Sequence, residues 1–495
     1  MPILGLGFSK SADARTAFAL FFVLWMTYGF IGPGGSTINS NVVSRMGLVY
    51  AILDNHSVTI DSFAPMTIDK AEFNGHYYLD KAPGVSLMVL PVVGTFLSGL
   101  RALHISTAPI ISGEFTTSYH ITVWLACLIT SALFTALAAV ALYFLARYCR
   151  ASRAAALFGS LVFGLATPAT GWATTFFSHA TSGGCLFIAF VLMVLASADA
   201  NGLGRRDFAV GLSTGALLGW AVVVEFTGAL AALVLVGIGL YRLSLLPASR
   251  IKKLLFGAVI GCALATLPLA IYNGIAFGSV FHIGYQNVVG FDGMNKGFFG
   301  ISRPKLSVLW EISFGQYRGI LWICPILIFM PFSYLSAFRH LPLEIALASI
   351  LVPTAYFLVN SGYQYWDGGY STGPRHVTPS LPFICLAFAP LWDAGALGMR
   401  AILLAAATLS GILSLICAST SMAAPDYFSM PLFQYLIPRF FDGHIHNALF
   451  YLGSSDLRSL VALPIVWIAV ILSCRPAVKQ YPAPPASDRT RSAKS

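Results

Sequence analysis

Charge is scarce in this chain. Asp, Glu, Lys and Arg together make up 10% of its 495 residues, where a soluble domain carries about 25%. A fold of this length with so little charge cannot cover its surface for water, which argues against a soluble protein. Paired cysteines are also lacking. Seven of the eight cysteines fall inside or at the ends of apolar runs, and Cys149 lies in the basic stretch RYCRAS. Their spacing supports neither a disulfide framework nor a zinc site. No phosphate-cradling G-x-x-x-x-G-K-[ST] loop, no H-E-x-x-H, no C-x-x-C and no convincing dinucleotide fingerprint occurs. Outside the short loops between apolar runs there is no basic patch to serve nucleic acid. Apolar residues, by contrast, fill 57% of the chain, and the mean hydropathy is +0.77.

These properties imply an all-α polytopic membrane protein. A spanning helix needs about 20 apolar residues, and the candidates are 16–35, 121–146, 154–172, 180–198, 208–224, 226–242, 254–273, 319–337, 343–359, 380–396, 400–420 and 459–474. The first follows Lys10 and Arg15 without a small-residue cleavage site, so it is expected to stay as an uncleaved helix. A further segment, 84–103, is interrupted by Pro91 and several glycines. Lys and Arg concentrate in RYCRASR, ADANGLGRRD, YRLSLLPASRIKK, FRHLP, GMR and the tail. Placing all of these in the cytoplasm satisfies the positive-inside rule only if 84–103 lies at the interface without crossing. The expectation is therefore about 12 spans (11 to 13) within 1–474, with both ends inside. The polar loops 36–120, 274–318, 360–379 and 421–458 then share the opposite face, and 475–495 forms a disordered cytoplasmic tail. The net charge of +10 is explained by this sorting. In 42–53, apolar residues recur at helical spacing with Arg45 opposite, which predicts an amphipathic helix lying on the membrane.

Three polar constellations stand out on that face. In TIDKAEFNGHYYLDKAPG, Asp69-Lys70 and Asp80-Lys81 flank a turn at Asn74-Gly75, with His76, Tyr77 and Tyr78 between them. A lysine beside the bilayer suits the phosphate of a lipid carrier, and a carboxylate suits proton removal from an attacking hydroxyl. The bland alternative is a solvated membrane-surface loop. In SGYQYWDGGYSTGPRHVTP, Trp366 and the tyrosines can stack on a sugar, Asp367 can bind it, Gly368-Gly369 permits close approach, and Arg375 can bind phosphate. The alternative there is an aromatic belt with a snorkelling arginine. The stretch 278–305, which holds Tyr285, Asp292, Lys296, Arg303 and Lys305, reads as a mobile external loop. Arg318 sits at the outer end of the following span. Glu225 interrupts an apolar run, and an ionisable group there is functional by default, although an external helix–helix turn would lower its cost.

The stretch Lys81-Ala82-Pro83-Gly84 resembles the Lys-Pro-Pro-type motif in the first external loop of GT-C superfamily membrane glycosyltransferases, the protein-mannosyltransferase-like and lipid A aminoarabinose-transferase-like enzymes. GPRHVTPSLPF (373–383) is similar to their Gly-Pro-Arg-aromatic stretch. The resemblance implies a GT-C-like fold with a juxtamembrane helix in the first external loop. It also implies transfer of a sugar from a polyprenyl-phosphate donor to an envelope glycolipid, glycan or protein acceptor, on the periplasmic face of a bacterial inner membrane. Lys81 would match the family lysine at the donor phosphate, helped by Arg375, Arg318 and Arg45. The remaining candidates for substrate contact are His76, Tyr77, Tyr78, Trp366, Asp367, Tyr285 and Glu225. One departure matters: these enzymes usually place an acid soon after the first span, where this chain has Asn39 and Asn41 ahead of Arg45. The base is then Asp54, Asp61, Asp69 or Asp80, with Asp69 and Asp80 nearest Lys81. No cofactor is specified, and a divalent metal is left open. A polytopic transporter or lipid-linked-sugar flippase is the main alternative, because twelve spans with both ends inside also describe many carriers. A non-catalytic scaffold or a surface-glycan polymerase are others.

Overall fold

The computed structural model describes residues 10–198, 205–449 and 456–474; the tail 475–495 lies outside them. The chain is a polytopic membrane protein built almost entirely of helices. Among the described residues, nine helices are long and apolar enough to cross a membrane. They are α1 (Lys10–Ile31), α3 (Gly84–Ala102), α4 (Thr117–Tyr148), α6 (Ser178–Ala198), α7 (Arg205–Val224), α9 (Ala248–Phe277), α12 (Leu343–Gly362), α13 (Arg375–Ala394) and α14 (Leu397–Thr420). Three expected spans form shorter apolar helices: α5 (Arg153–Leu165), α8 (Gly228–Ser244) and α15 (Leu457–Ser473). The expected span 319–337 is broken, because Pro325 cannot continue the turn Ile320–Ile323 and helix resumes only as α11 (Met330–His340). A short helix, α10 (Leu306–Ser313), precedes it.

The helix over 42–53 exists as α2 (Ser40–Asn55), capped by the Asn39 side chain, which accepts from the Asn41 N–H at 3.0 Å. It is not a helix laid on a membrane surface. Eleven consecutive residues, Asn41 to Ala51, are buried, and Arg45 is 1% exposed. Protein covers both of its faces, a difference that a 3.6-residue period cannot reveal. α2 and α3 run side by side in the same direction: Arg45 reaches Ala82 and Ser86, and Asp54 pairs with Arg101.

A hairpin of β1 (Ala71–Phe73) and β2 (His76–Tyr78) precedes α3, turning at Asn74 and Gly75, both at positive φ. Its register pairs Ala71 with Tyr78 and Phe73 with His76. Continued by two residues, that register sets Asp69 opposite Asp80. The stretch 278–305 is stitched down rather than loose: Val289 N–H donates to Lys70 O, and Ser302 N–H to Gly362 O. The same stretch also closes on the hairpin at Gly284, where a Cβ would lie 2.7 Å from the Asp80 carbonyl oxygen.

Charged pairs occupy the two ends of the bundle differently. Arg147 and Arg153 on Asp13, Arg242 on Glu344 and Arg250 on Asp207 close the ends that carry the basic loops. The polar residues of a large cavity come from the other ends: the close of α7, α12 and α14, the start of α2, α6, α8 and α13, and the hairpin flanks at Asp69, Asp80 and Lys81.

Candidate active site

Those helix ends enclose a cavity of about 1290 Å³. Lys81 is its electrostatic centre, with Nζ 2.8 Å from Asp80 Oδ2 and 3.2 Å from Asp69 Oδ2. Asp80 is 2% exposed, and its second oxygen has no hydrogen-bond partner in the protein. Burial pushes the Asp80 carboxyl above the usual carboxylate range, with the neighbouring Lys81 opposing.

Opposite stands a second polar chain. Asn41 accepts from Arg45 Nε at 2.8 Å, and a second Arg45 nitrogen donates to Ser178 Oγ at 3.0 Å. Ser178 in turn donates to Glu225. Glu225 closes α7 and is 7% exposed, lying 3.3 Å from His179 Nδ1. The asparagine that stands where the resemblance expects an acid therefore holds the arginine. His179 packs edge-on against His376, ring centroids 5.2 Å apart, and His376 against Tyr363 at 5.4 Å.

Arg375 reaches the same cavity and lies over the Phe177 ring at 5.3 Å, its Nε buried without a partner. Gly368, at φ 76°, lets it pass, for a Cβ there would meet Arg375 Nε at 3.0 Å. Tyr285 and Asp367 also line the wall, Tyr285 against Phe226 and Asp367 accepting from Tyr317 at 3.4 Å. Around this polar floor the cavity is apolar, and part of its rim is strongly exposed: Leu233 at 70% on α8 and Phe298 at 74%.

The structure thus gathers Asp69, Asp80, Lys81, Arg45, Arg375, Asp367, Tyr285 and Glu225 around one space. Other expected residues lie elsewhere. His76 is exposed and pairs with Asp61 at 2.7 Å, because the hairpin turn carries it outward. Tyr77 lies under the Lys70 ammonium at 4.7 Å, and Tyr78 is buried against Phe277 at 5.3 Å. Asp54 is taken up by Arg101. Arg318 is 1% exposed and stacks on Tyr317 at 3.8 Å while donating to the Asp367 and Gly369 carbonyls. It shapes the loop and does not reach the cavity. Trp366 meets the edge of Tyr317 at 6.2 Å, off the cavity wall. Sequence reasoning passed over His179, His376, Tyr356 and Asn360, all on the wall; His376 lies inside the quoted GPRHVTP stretch beside Arg375, and the other three sit in apolar helical stretches. Among the described residues, no group of three or more His, Cys, Asp and Glu is arranged to hold a metal ion.

No protein-family model matches the chain, and no curated protein sequence matches it. Similar solved structures include ArnT from Cupriavidus metallidurans bound to undecaprenyl phosphate, 16% identical over 93% of this chain and 75% of that one, with a TM-score of 0.47. They also include the archaeal oligosaccharyltransferase AglB from Archaeoglobus fulgidus in complex with an inhibitory peptide and a dolichol-phosphate, 12% identical over 93% and 60%, TM-score 0.47. A third is the Archaeoglobus fulgidus oligosaccharyltransferase tethered with an acceptor peptide, 13% identical over 93% and 59%, TM-score 0.49. The chain spans less than two thirds of the archaeal proteins' length.

Proposed function

We propose that this protein is a GT-C-type membrane glycosyltransferase that moves a sugar from a polyprenyl-phosphate carrier to an envelope glycolipid, glycan or protein. One observation carries the reading: a single cavity joins a partly buried Asp69–Lys81–Asp80 cluster and a partnerless Arg375 Nε to an exposed apolar rim. A phosphate on a long hydrocarbon chain needs both, cations for the headgroup and an apolar flank for the tail.

Asp80 accepts the proton of the acceptor hydroxyl while that oxygen attacks the anomeric carbon. The bond from that carbon to the phosphate oxygen breaks, and the electron pair leaves with the phosphate. Lys81 and Arg375 stabilise the charge that grows there. Asp69 steadies Lys81, and the raised affinity of Asp80 for protons makes it a stronger base than an ordinary carboxylate. The site faces the periplasm of a bacterial inner membrane, supported by its position at the helix ends opposite the basic loops.

The test is sugar transfer by purified Asp80→Asn protein in lipid nanodiscs. A fall of at least about 100-fold, with unchanged gel-filtration behaviour, is expected for loss of a general base. Full activity would retire the assignment.

A further inference from the structure

The cavity wall holds a group of polar atoms that the reaction above leaves unused. Tyr356 and Asn360 stand one turn apart on the same face of α12, each 2% exposed. The Tyr356 hydroxyl and both the oxygen and the nitrogen of the Asn360 amide have no hydrogen-bond partner in the protein. Beside them on the wall are His376, whose Nε2 is also unpartnered, and His179, whose Nδ1 lies near Glu225 without hydrogen-bond alignment. Buried polar groups left unpaired cost about 1–3 kcal/mol each, and most buried polar groups in proteins are paired. Several gathered on one wall are therefore expected to have a ligand.

We infer that Tyr356, Asn360, His376 and His179 form the seat of the transferred sugar, and that this sugar is an uncharged polyhydroxy ring. The inference rests on the proposed glycosyltransferase reading and adds the place and class of the glycosyl group. An amide with both ends unpaired matches two adjacent ring hydroxyls, accepting from one and donating to the other. A phenol and imidazoles complement further hydroxyls. Glu225, which borders the seat, has contacts on both oxygens, from Ser178 on one and from Thr227 at 3.4 Å on the other, with His179 3.3 Å away, so it is not held open for an amino group. A hydrocarbon tail would leave every one of these groups unpaired. His376 directly follows Arg375, so the seat adjoins the cation assigned to the phosphate.

The experiment compares binding of undecaprenyl phosphate with that of undecaprenyl-phosphate-linked glucose, mannose and galactose to the full chain in nanodiscs. At least one glycosylated lipid should bind about tenfold or more tighter than the sugarless lipid. Tyr356→Phe, which removes only a hydroxyl, and Asn360→Leu should each erase about tenfold of that preference while leaving undecaprenyl phosphate affinity unchanged. Equal binding of all four lipids by the native protein, or variants that keep the full preference, would overturn the sugar seat while leaving the phosphate site standing. Variants that lose both kinds of lipid equally would also overturn it. A native protein that binds none of the four lipids would overturn both readings.

Discussion

Replacing Lys81 by Met strips the cavity of its central cation. Nζ serves two carboxylates, at 2.8 Å and 3.2 Å, and the Asp80 side chain is only 3% exposed. Removing one partner of a buried pair leaves an uncompensated charge and costs about 3–5 kcal/mol. Here Lys81 and Asp69 retain 16% and 15% exposure, so water reaches part of the cluster and Arg45 adds a more distant positive charge. The expected loss is therefore about 3 kcal/mol, at the low end of that range. The double variant Lys81→Met/Asp80→Asn removes the pair together and should recover all but about 1 kcal/mol, because a neutral amide tolerates burial better than a carboxylate. Denaturant unfolding in mixed micelles across the four-corner cycle measures the coupling. Additive effects, or a Lys81→Met protein as stable as the native one, would refute the picture of a buried, mutually dependent cluster.

Four more outcomes follow from the same geometry. The folded-state affinity of Asp80 for protons is raised from an ordinary value of 3.8, so the native state holds more protons than the unfolded one above that pH. Stability should then fall as pH rises from about 4 through the raised folded value and level off beyond it. Asp80→Asn should flatten that slope in pH-dependent unfolding. Gly368→Ala, which forces a side chain onto a left-handed position and against Arg375, should cost about 1–3 kcal/mol in the unfolding assay and weaken undecaprenyl phosphate binding. Arg318→Met should lower the unfolding midpoint through loss of its carbonyl contacts, by about 1–3 kcal/mol, with undecaprenyl phosphate affinity retained in the folded fraction. His76→Ala and Trp366→Phe should leave transfer kinetics within about twofold, because neither side chain reaches the cavity and surface changes of this kind rarely exceed about 0.5 kcal/mol.

Much of the site could be read from the chain because it is local. The Asn74-Gly75 turn fixes the hairpin, the hairpin register opposes Asp69 and Asp80, and Lys81 follows at once. The same locality misled for His76 and Trp366, which share a stretch with site residues but point away from the cavity. What stayed hidden depends on packing between distant helices. Ser178 and His179 meet Glu225 only because the start of α6 lies against the end of α7. Tyr356 and Asn360 carry a readable signal, an i, i+4 polar pair at the end of an apolar helix, yet only the shared cavity gives it meaning. Arg45 reads as the polar edge of an amphipathic helix until α3 and α6 are seen to bury it.

The central claim is that the cavity performs transfer chemistry on a lipid-linked sugar and does not carry the lipid across the bilayer. Purified protein in sealed liposomes, supplied with sugar-labelled undecaprenyl-phosphate hexoses and envelope acceptors, separates the two. The account predicts label on an acceptor together with free undecaprenyl phosphate, both lost in Asp80→Asn. Intact lipid-linked sugar moved to the other leaflet, with the sugar–phosphate bond unbroken, would contradict it.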